Sequence, residues 1–113
     1  MPELPADSMW STIAGLVSWL DRSNGRDDHE VTLRILKIAE EVGEATQARI
    51  GMLGQNPRKG ATHASADLTD ELVDVIVTAM VALASVTDDP RTVFEAKLQA
   101  IAERVAGLEA PDA

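Results

Sequence analysis

The sequence contains no cysteine and no tyrosine, and its aromatic side chains are only Trp10, Trp19 and Phe94. The absence of cysteine excludes disulfides, thiolate metal sites and cysteine nucleophiles. Basic residues are also scarce, because 10 lysines and arginines stand against 19 acidic residues, for a formal net charge of −9. Nucleic acids are bound largely through lysine and arginine, so this balance argues against a nucleic acid polymer as partner and is compatible with metal cations.

Long apolar runs are absent as well. No stretch approaches the ~20 residues that cross a bilayer, and the acidic, proline-bearing segment 1–8 does not resemble a signal peptide. We therefore expect no membrane association and a cytoplasmic location. The 113 residues suit one domain, 1–113, whose thin core a partner subunit would help to complete.

Alanine, leucine and glutamate are plentiful, whereas alternating β-branched runs are few, so the predicted fold class is all-α with four helices. Asp89 is the expected N-cap of the fourth helix, and residues 109–113 are expected to form a frayed tail. The first predicted helix runs from after Asp7 or Ser8 to Ser23-Asn24-Gly25, and the second from near Asp28 to about Ile50, where Gly51 and Gly54 interrupt it. The third runs from about Ser65 or Asp67 to Val86, and the fourth from Pro90 to Gly107.

Two segments on the second and third helices repeat one acidic pattern. Residues 38–44 and 68–74 both read apolar, small, acid, acid, apolar, small or apolar, acid. At ~100° per residue the acids of each segment share a stripe about 100° wide, with mostly apolar residues in the other directions. In an antiparallel hairpin of these helices, at ~1.5 Å per residue, the two segments would be level to within roughly 3 Å.

Carboxylates this close raise one another's pKa unless a cation compensates them. Neither segment contains histidine or cysteine, and oxygen ligands alone favour Mg²⁺ or Mn²⁺ over zinc. The alternative is that each acidic stripe is simply the solvated face of its helix. The wide apolar surround and the repetition of the pattern favour a metal site.

At these residues the chain resembles the MazG-like nucleotide pyrophosphohydrolases of the all-α NTP pyrophosphatase superfamily. The family pattern, Glu-Glu-x-x-Glu and then Glu-x-x-Asp, is matched by Glu40-Glu41-Val42-Gly43-Glu44 and by Glu71-Leu72-Val73-Asp74. The resemblance covers about residues 29–86. It implies Mg²⁺-dependent hydrolysis of a nucleoside triphosphate to the monophosphate and pyrophosphate, in the clearance of unwanted nucleotides.

The resemblance also implies roles for the acids. Glu41, Glu44, Glu71 and Asp74 would hold Mg²⁺, with Mn²⁺ as a possible substitute, and Glu40 would orient or deprotonate the attacking water. Positive side chains should approach the phosphates, and a side chain should contact the base. The candidates are Lys37, Arg58 and Lys59 for the phosphates and Trp19 for the base, whereas Trp10 is expected in the core.

The family pairs its central helix hairpins, so the resemblance implies a homodimer, or a dimer of dimers, with a four-helix bundle around each site. The apolar residues of the second and third helices agree with this, because they exceed what two flanking helices can cover. Phosphoribosyl-ATP pyrophosphohydrolase is a related alternative activity. Two alternatives are not enzymes. One is a non-catalytic helical regulator that binds nucleotide or protein, and the other is a purely structural acidic bundle.

Overall fold

The computed structural model describes residues 8–109, and this part of the chain is all-helical, with four helices and no strand. The bounds are Met9–Asn24 for α1, Asp28–Leu53 for α2, Ser65–Val86 for α3 and Pro90–Glu109 for α4. The predicted fold class is therefore confirmed. Asp7 and positions 110–113 of the predicted tail lie outside the described residues.

None of the helices in residues 8–109 combines the length and the apolarity that a membrane crossing requires.

Local sequence explains where the helices begin. The carboxylate of Asp27 accepts a hydrogen bond of 2.8 Å from the backbone N–H of Glu30 and so caps α2. Asp89 accepts from the N–H of Thr92 at 3.3 Å, which confirms it as the cap of α4. At the end of α1, Gly25 takes a φ of 78°, a value that side-chain-bearing residues rarely adopt.

Two predicted helix ends are wrong. α2 continues through Gly51 to Leu53, and Gly54 caps it in the left-handed conformation, with φ 61° and ψ 35°. α4 continues through Gly107 to Glu109. One internal glycine costs a helix only about 1 kcal/mol relative to alanine, so it does not by itself end one.

The helices pack unevenly. α2 and α3 share the most extensive contact in the described chain, α1 packs on α3, and α4 touches α3 only lightly. The buried apolar cluster contains Ile13 and Val17 of α1 and Val81 of α3. Trp10 is half-buried and packs against this cluster, as predicted. The centroid of its ring lies 5.8 Å from the ring centroid of Phe94.

Large apolar side chains on α2, α3 and α4 remain exposed. The Cα radius of gyration is 18.1 Å, whereas a compact domain of this length has about 13 Å. The sequence predicts that α2 and α3 are buried on most sides, but one copy of the chain does not cover them. The exposed apolar residues of α2 and α3 are Leu33, Ile35, Leu36, Val42, Ile50, Leu53, Leu72, Val73, Ile76 and Val86.

A buried arginine connects three of the helices. Arg34 of α2 is only 5% exposed, and its Nε donates to Glu30 Oε2 at 2.7 Å. Its Nη1 donates to Asp21 Oδ1 at 2.9 Å and to Ser85 Oγ at 3.1 Å. Its Nη2 donates to the carbonyl of Gly25 at 3.0 Å. The end of α1, the start of α2 and the end of α3 are thus held by one guanidinium.

This network shifts the titration of Asp21. Burial alone would raise the pKa of its carboxyl, but hydrogen bonds from Arg26 and Arg34, together with their positive charges, hold the pKa below its ordinary 3.8. The pKa of Arg34 is in turn raised above its ordinary value, because its carboxylate partners outweigh the effect of burial. Both groups are charged at neutral pH, so the network is an ionic one.

Candidate metal centre

Carboxylates from α2 and α3 converge near the middle of the two helices. Glu41 of α2 and Glu71 and Asp74 of α3 each offer an oxygen, and these three oxygens lie within 4.8 Å of one another. Glu40, Glu41 and Glu44 form a second group of the same size. Glu41 belongs to both groups. All five acids singled out in the sequence therefore lie in one continuous acidic cluster.

Small residues let the two helices approach at this point. Ala45 and Ala48 follow Glu41 by four and seven residues, which places them on the same face of α2. They are buried, at 7% and 1% exposure. Glu41 itself is only 9% exposed, and its carboxylate lies beside those of Glu71 and Asp74 of α3 rather than in bulk solvent.

The acids differ in their exposure to water. Glu41 is buried and Glu71 is half-buried, whereas Glu40, Glu44 and Asp74 are exposed. Within the part of the chain that the structure describes, Glu71 Oε2 is buried and has no hydrogen-bond partner. Leaving such an acceptor unsatisfied costs about 1–3 kcal/mol. A cation bound among these oxygens would supply the missing partner, so the residues fit a metal site.

The electrostatics of Glu41 point the same way. Burial raises the pKa of its carboxyl above the ordinary 4.5, and the charge and hydrogen bond of Glu44 and the charge of Asp74 raise it further. Lys37 opposes this effect, since its Nζ lies 3.6 Å from Glu41 Oε1 and 3.7 Å from Glu40 Oε1. One lysine does not offset the charge of the whole cluster, which remains net negative.

The candidate phosphate and base contacts lie in different places. Lys37 contacts the acidic cluster directly. Arg58 and Lys59 lie in the connection between α2 and α3, and within residues 8–109 neither forms an ion pair with these acids. Lys59 instead lines a cavity at the end of α2. Trp19 is 57% exposed and lines a mainly apolar cavity of 220 Å³ that also includes Lys37.

Sequence reasoning missed two features near this cluster. The first is the Arg34 network, which lies two helical turns before Glu41 and forms only when partners from three separate segments meet. The cavity at the end of α2 depends on how residues 54–64 fold back. The available sequence signals were an arginine among apolar residues and three glycines, Gly51, Gly54 and Gly60, within ten residues.

Comparison with protein-family models, with curated proteins and with solved structures gives no significant match for this chain. The resemblance to the MazG-like pyrophosphohydrolases therefore depends on the two acidic motifs alone.

Proposed function

We propose that this protein is a Mg²⁺-dependent nucleoside triphosphate pyrophosphohydrolase that converts an NTP or dNTP and water to the monophosphate and pyrophosphate. The supporting observation is the meeting of Glu41, Glu71 and Asp74 from two helices within 4.8 Å, beside the unsatisfied Glu71 Oε2. The physiological role would be the clearance of unwanted nucleotides.

Glu41, Glu44, Glu71 and Asp74 are the proposed ligands of Mg²⁺, with Mn²⁺ as a substitute. Their donor atoms are all carboxylate oxygens, the ligands that these hard cations prefer. When bound, such ions neutralise phosphate charge and lower the pKa of a coordinated water. The cations also account for how a chain with a net charge of −9 receives a polyanionic substrate.

Glu40 is the proposed base. Its carboxylate is exposed at the edge of the cluster, so it remains free to orient a water and accept its proton. The water oxygen then forms a bond to the α-phosphorus, the α–β anhydride bond breaks, and pyrophosphate leaves. Lys37, with Nζ 3.7 Å from Glu40 Oε1, is placed to contact the phosphates.

The proposed assembly is a homodimer, or a dimer of dimers, in which an antiparallel α2–α3 hairpin packs against its copy in a four-helix bundle. Exposed apolar residues such as Val73 and Ile76 support this arrangement, because an isolated chain leaves them in water. Gly43 of α2 is compatible with it, since a Cβ added there would meet nothing within 4 Å and a further helix has room to approach. A second copy would cover both features.

Pyrophosphate release tests the proposed activity. The purified full chain is incubated with each canonical NTP and dNTP, first with Mg²⁺ and then with EDTA. We expect equal amounts of monophosphate and pyrophosphate, and no reaction in EDTA. Release of orthophosphate would contradict the mechanism. Stabilisation by a nucleotide in the presence of Mg²⁺, without any turnover, would instead favour a non-catalytic nucleotide-binding protein.

A further inference from the structure

A cavity of 410 Å³ lies where the connection between α2 and α3 folds back on the end of α2. Its volume falls in the range of about 300–1,000 Å³ that is typical of small-molecule sites. No acidic residue is among those that line it. The lining residues with polar side chains are Gln47, Gln55, Asn56, Lys59, Thr62 and His63.

Specific contacts hold the wall of this cavity. The N–H of Thr62 donates to the carbonyl of Gly51 at 2.9 Å, and the Thr62 hydroxyl lies 2.9 Å from His63 Nδ1. A Cβ at Gly51 would collide with the His63 ring, so the glycine permits this close approach. The N–H groups of Lys59 and Gly60 both donate to the carbonyl of Asn56, at 3.1 and 2.9 Å.

The cavity is aligned with the acidic cluster. Glu40, Glu44, Gln47 and Gly51 follow one another at intervals of four, three and four residues, so they share one face of α2. At 1.5 Å per residue, Gly51 lies about 10 Å along the helix from Glu44. A ribose and base attached to a phosphate at the acids would span such a distance.

We propose that this cavity is the nucleoside pocket of the protein, a proposal that rests on the function proposed above. The triphosphate is held at the acids, while the base and the sugar enter the cavity. A carboxamide offers both hydrogen-bond donors and an acceptor, which is what the edge of a purine or pyrimidine requires. The Asn56 oxygen already accepts from the backbone N–H of Arg58 at 3.1 Å, so Asn56 contributes chiefly its NH₂ group. Base recognition is thereby assigned to Gln47, Gln55 and Asn56 rather than to Trp19, whose cavity is smaller and mainly apolar.

The two histidines of the chain make this testable without turnover. His63 lines the cavity, whereas His29 lies in the first turn of α2 and serves as an internal reference. The full chain in EDTA is titrated with nucleoside monophosphates of each base while the imidazole Cε1–H signals are followed by NMR. We expect at least one nucleotide to shift the His63 signal saturably and to leave that of His29 unchanged.

Two matched substitutions of glutamine complete the test. Gln47→Leu removes one amide from the pocket and should weaken nucleotide binding by about tenfold, the effect of one hydrogen bond. Gln99→Leu removes a glutamine whose partner is Glu103 of α4, at 3.1 Å, and should bind as the wild type does. Inorganic tripolyphosphate, which has no nucleoside, should not reproduce the His63 shift.

The proposal is overturned if no nucleotide shifts the His63 signal, or if Gln47→Leu binds nucleotide as tightly as the wild type. It is also overturned if tripolyphosphate alone shifts the His63 signal equally, because that result would indicate a phosphate site at Lys59. The proposed function fails separately. A saturable His63 response without pyrophosphate release removes the hydrolase and keeps the pocket. Pyrophosphate release with an unresponsive His63 removes the pocket and keeps the hydrolase.

Discussion

The Arg34 guanidinium donates a hydrogen bond to the Ser85 hydroxyl at 3.1 Å, and this contact joins α2 to α3 across 51 residues of sequence. The same hydroxyl donates to the carbonyl of Val81 at 2.8 Å, so its donor and one of its two acceptor sites are used. Arg34 precedes Glu41 by two turns of α2. The contact therefore fixes the register in which Glu41 meets the acids of α3.

Replacement of Arg34 by methionine should strongly destabilise the fold. It leaves Glu30 and Asp21 without their shared cation, and removal of one member of a buried ionic network costs about 3 kcal/mol. The measurement is urea unfolding followed by circular dichroism at one fixed protein concentration. Arg26→Met is the control, because Arg26 contacts Asp21 in a more exposed pair and should cost less than about 1 kcal/mol. Equal losses in the two variants would contradict the role of Arg34.

The fall in the free energy of unfolding at acid pH should depend on Asp21. Its pKa in the folded chain lies below 3.8, so near this pH the unfolded chain binds more protons and stability rises with pH. The stabilisation is complete above 3.8 and is lost as the pH falls through the lower folded value. Asp21→Asn should flatten acid unfolding in this range, whereas the exposed Asp88→Asn should follow the wild type. A flattened curve in both variants would argue against the network.

Glu41→Gln should separate stability from metal binding. Because burial and the neighbouring acids raise the pKa of Glu41, its charge destabilises the metal-free fold at neutral pH, and the neutral amide should raise the melting temperature in EDTA. The variant should also lose the stabilisation by Mg²⁺ seen in the wild type, and turnover should fall about 10²-fold or more. Thermal unfolding with and without Mg²⁺ measures this.

The control for that variant is Glu103→Gln, which changes the same side chain at an exposed position of α4. It should melt and respond to Mg²⁺ as the wild type does. Full stabilisation of Glu41→Gln by Mg²⁺ would remove Glu41 from the metal site.

Glu40→Gln should show the opposite behaviour. The exposed Glu40 is the proposed base and not a proposed ligand, so stabilisation by Mg²⁺ should persist while kcat falls by about 10²–10⁴-fold. Steady-state pyrophosphate release and thermal unfolding, measured on the same preparation, distinguish the two effects. An unchanged kcat would exclude Glu40 as the base.

Ile76→Glu should dissociate the proposed dimer. Ile76 is 58% exposed on α3 in the single chain, and enclosing an unpaired carboxylate in an interface costs several kcal/mol, which corresponds to an about 100-fold or larger increase in the dissociation constant. Sedimentation equilibrium over a range of protein concentrations measures it. Leu108→Glu, at an 80% exposed position near the end of α4, should sediment as the wild type does. A monomeric wild type would refute the assembly.

The sequence predicted what local patterns determine. Helical periodicity located the four helices, and the caps at Asp89 and Gly25 were identified because they act over one turn. The acids of the cluster were identified for the same reason, since their spacing within each helix determines which face they share. Their roles as ligands and base stay predictions.

Contacts between residues far apart in the sequence could not be predicted from local sequence patterns. The burial of Arg34 requires Asp21, Gly25 and Ser85 to meet, which no periodicity encodes. Gly51 was interpreted as a helix end because glycine often follows a last turn, but here it reflects packing against His63. The sequence also could not distinguish apolar residues covered within one chain from those left exposed.

The glycine at residue 51 has a consequence for related sequences. Any other amino acid there would collide with the His63 ring and the Thr62 hydroxyl, so these side chains of the segment that returns over the end of α2 would have to move. Homologues that carry a larger residue at this position should therefore also differ in the composition or length of that segment, and the two regions should have changed together in evolution.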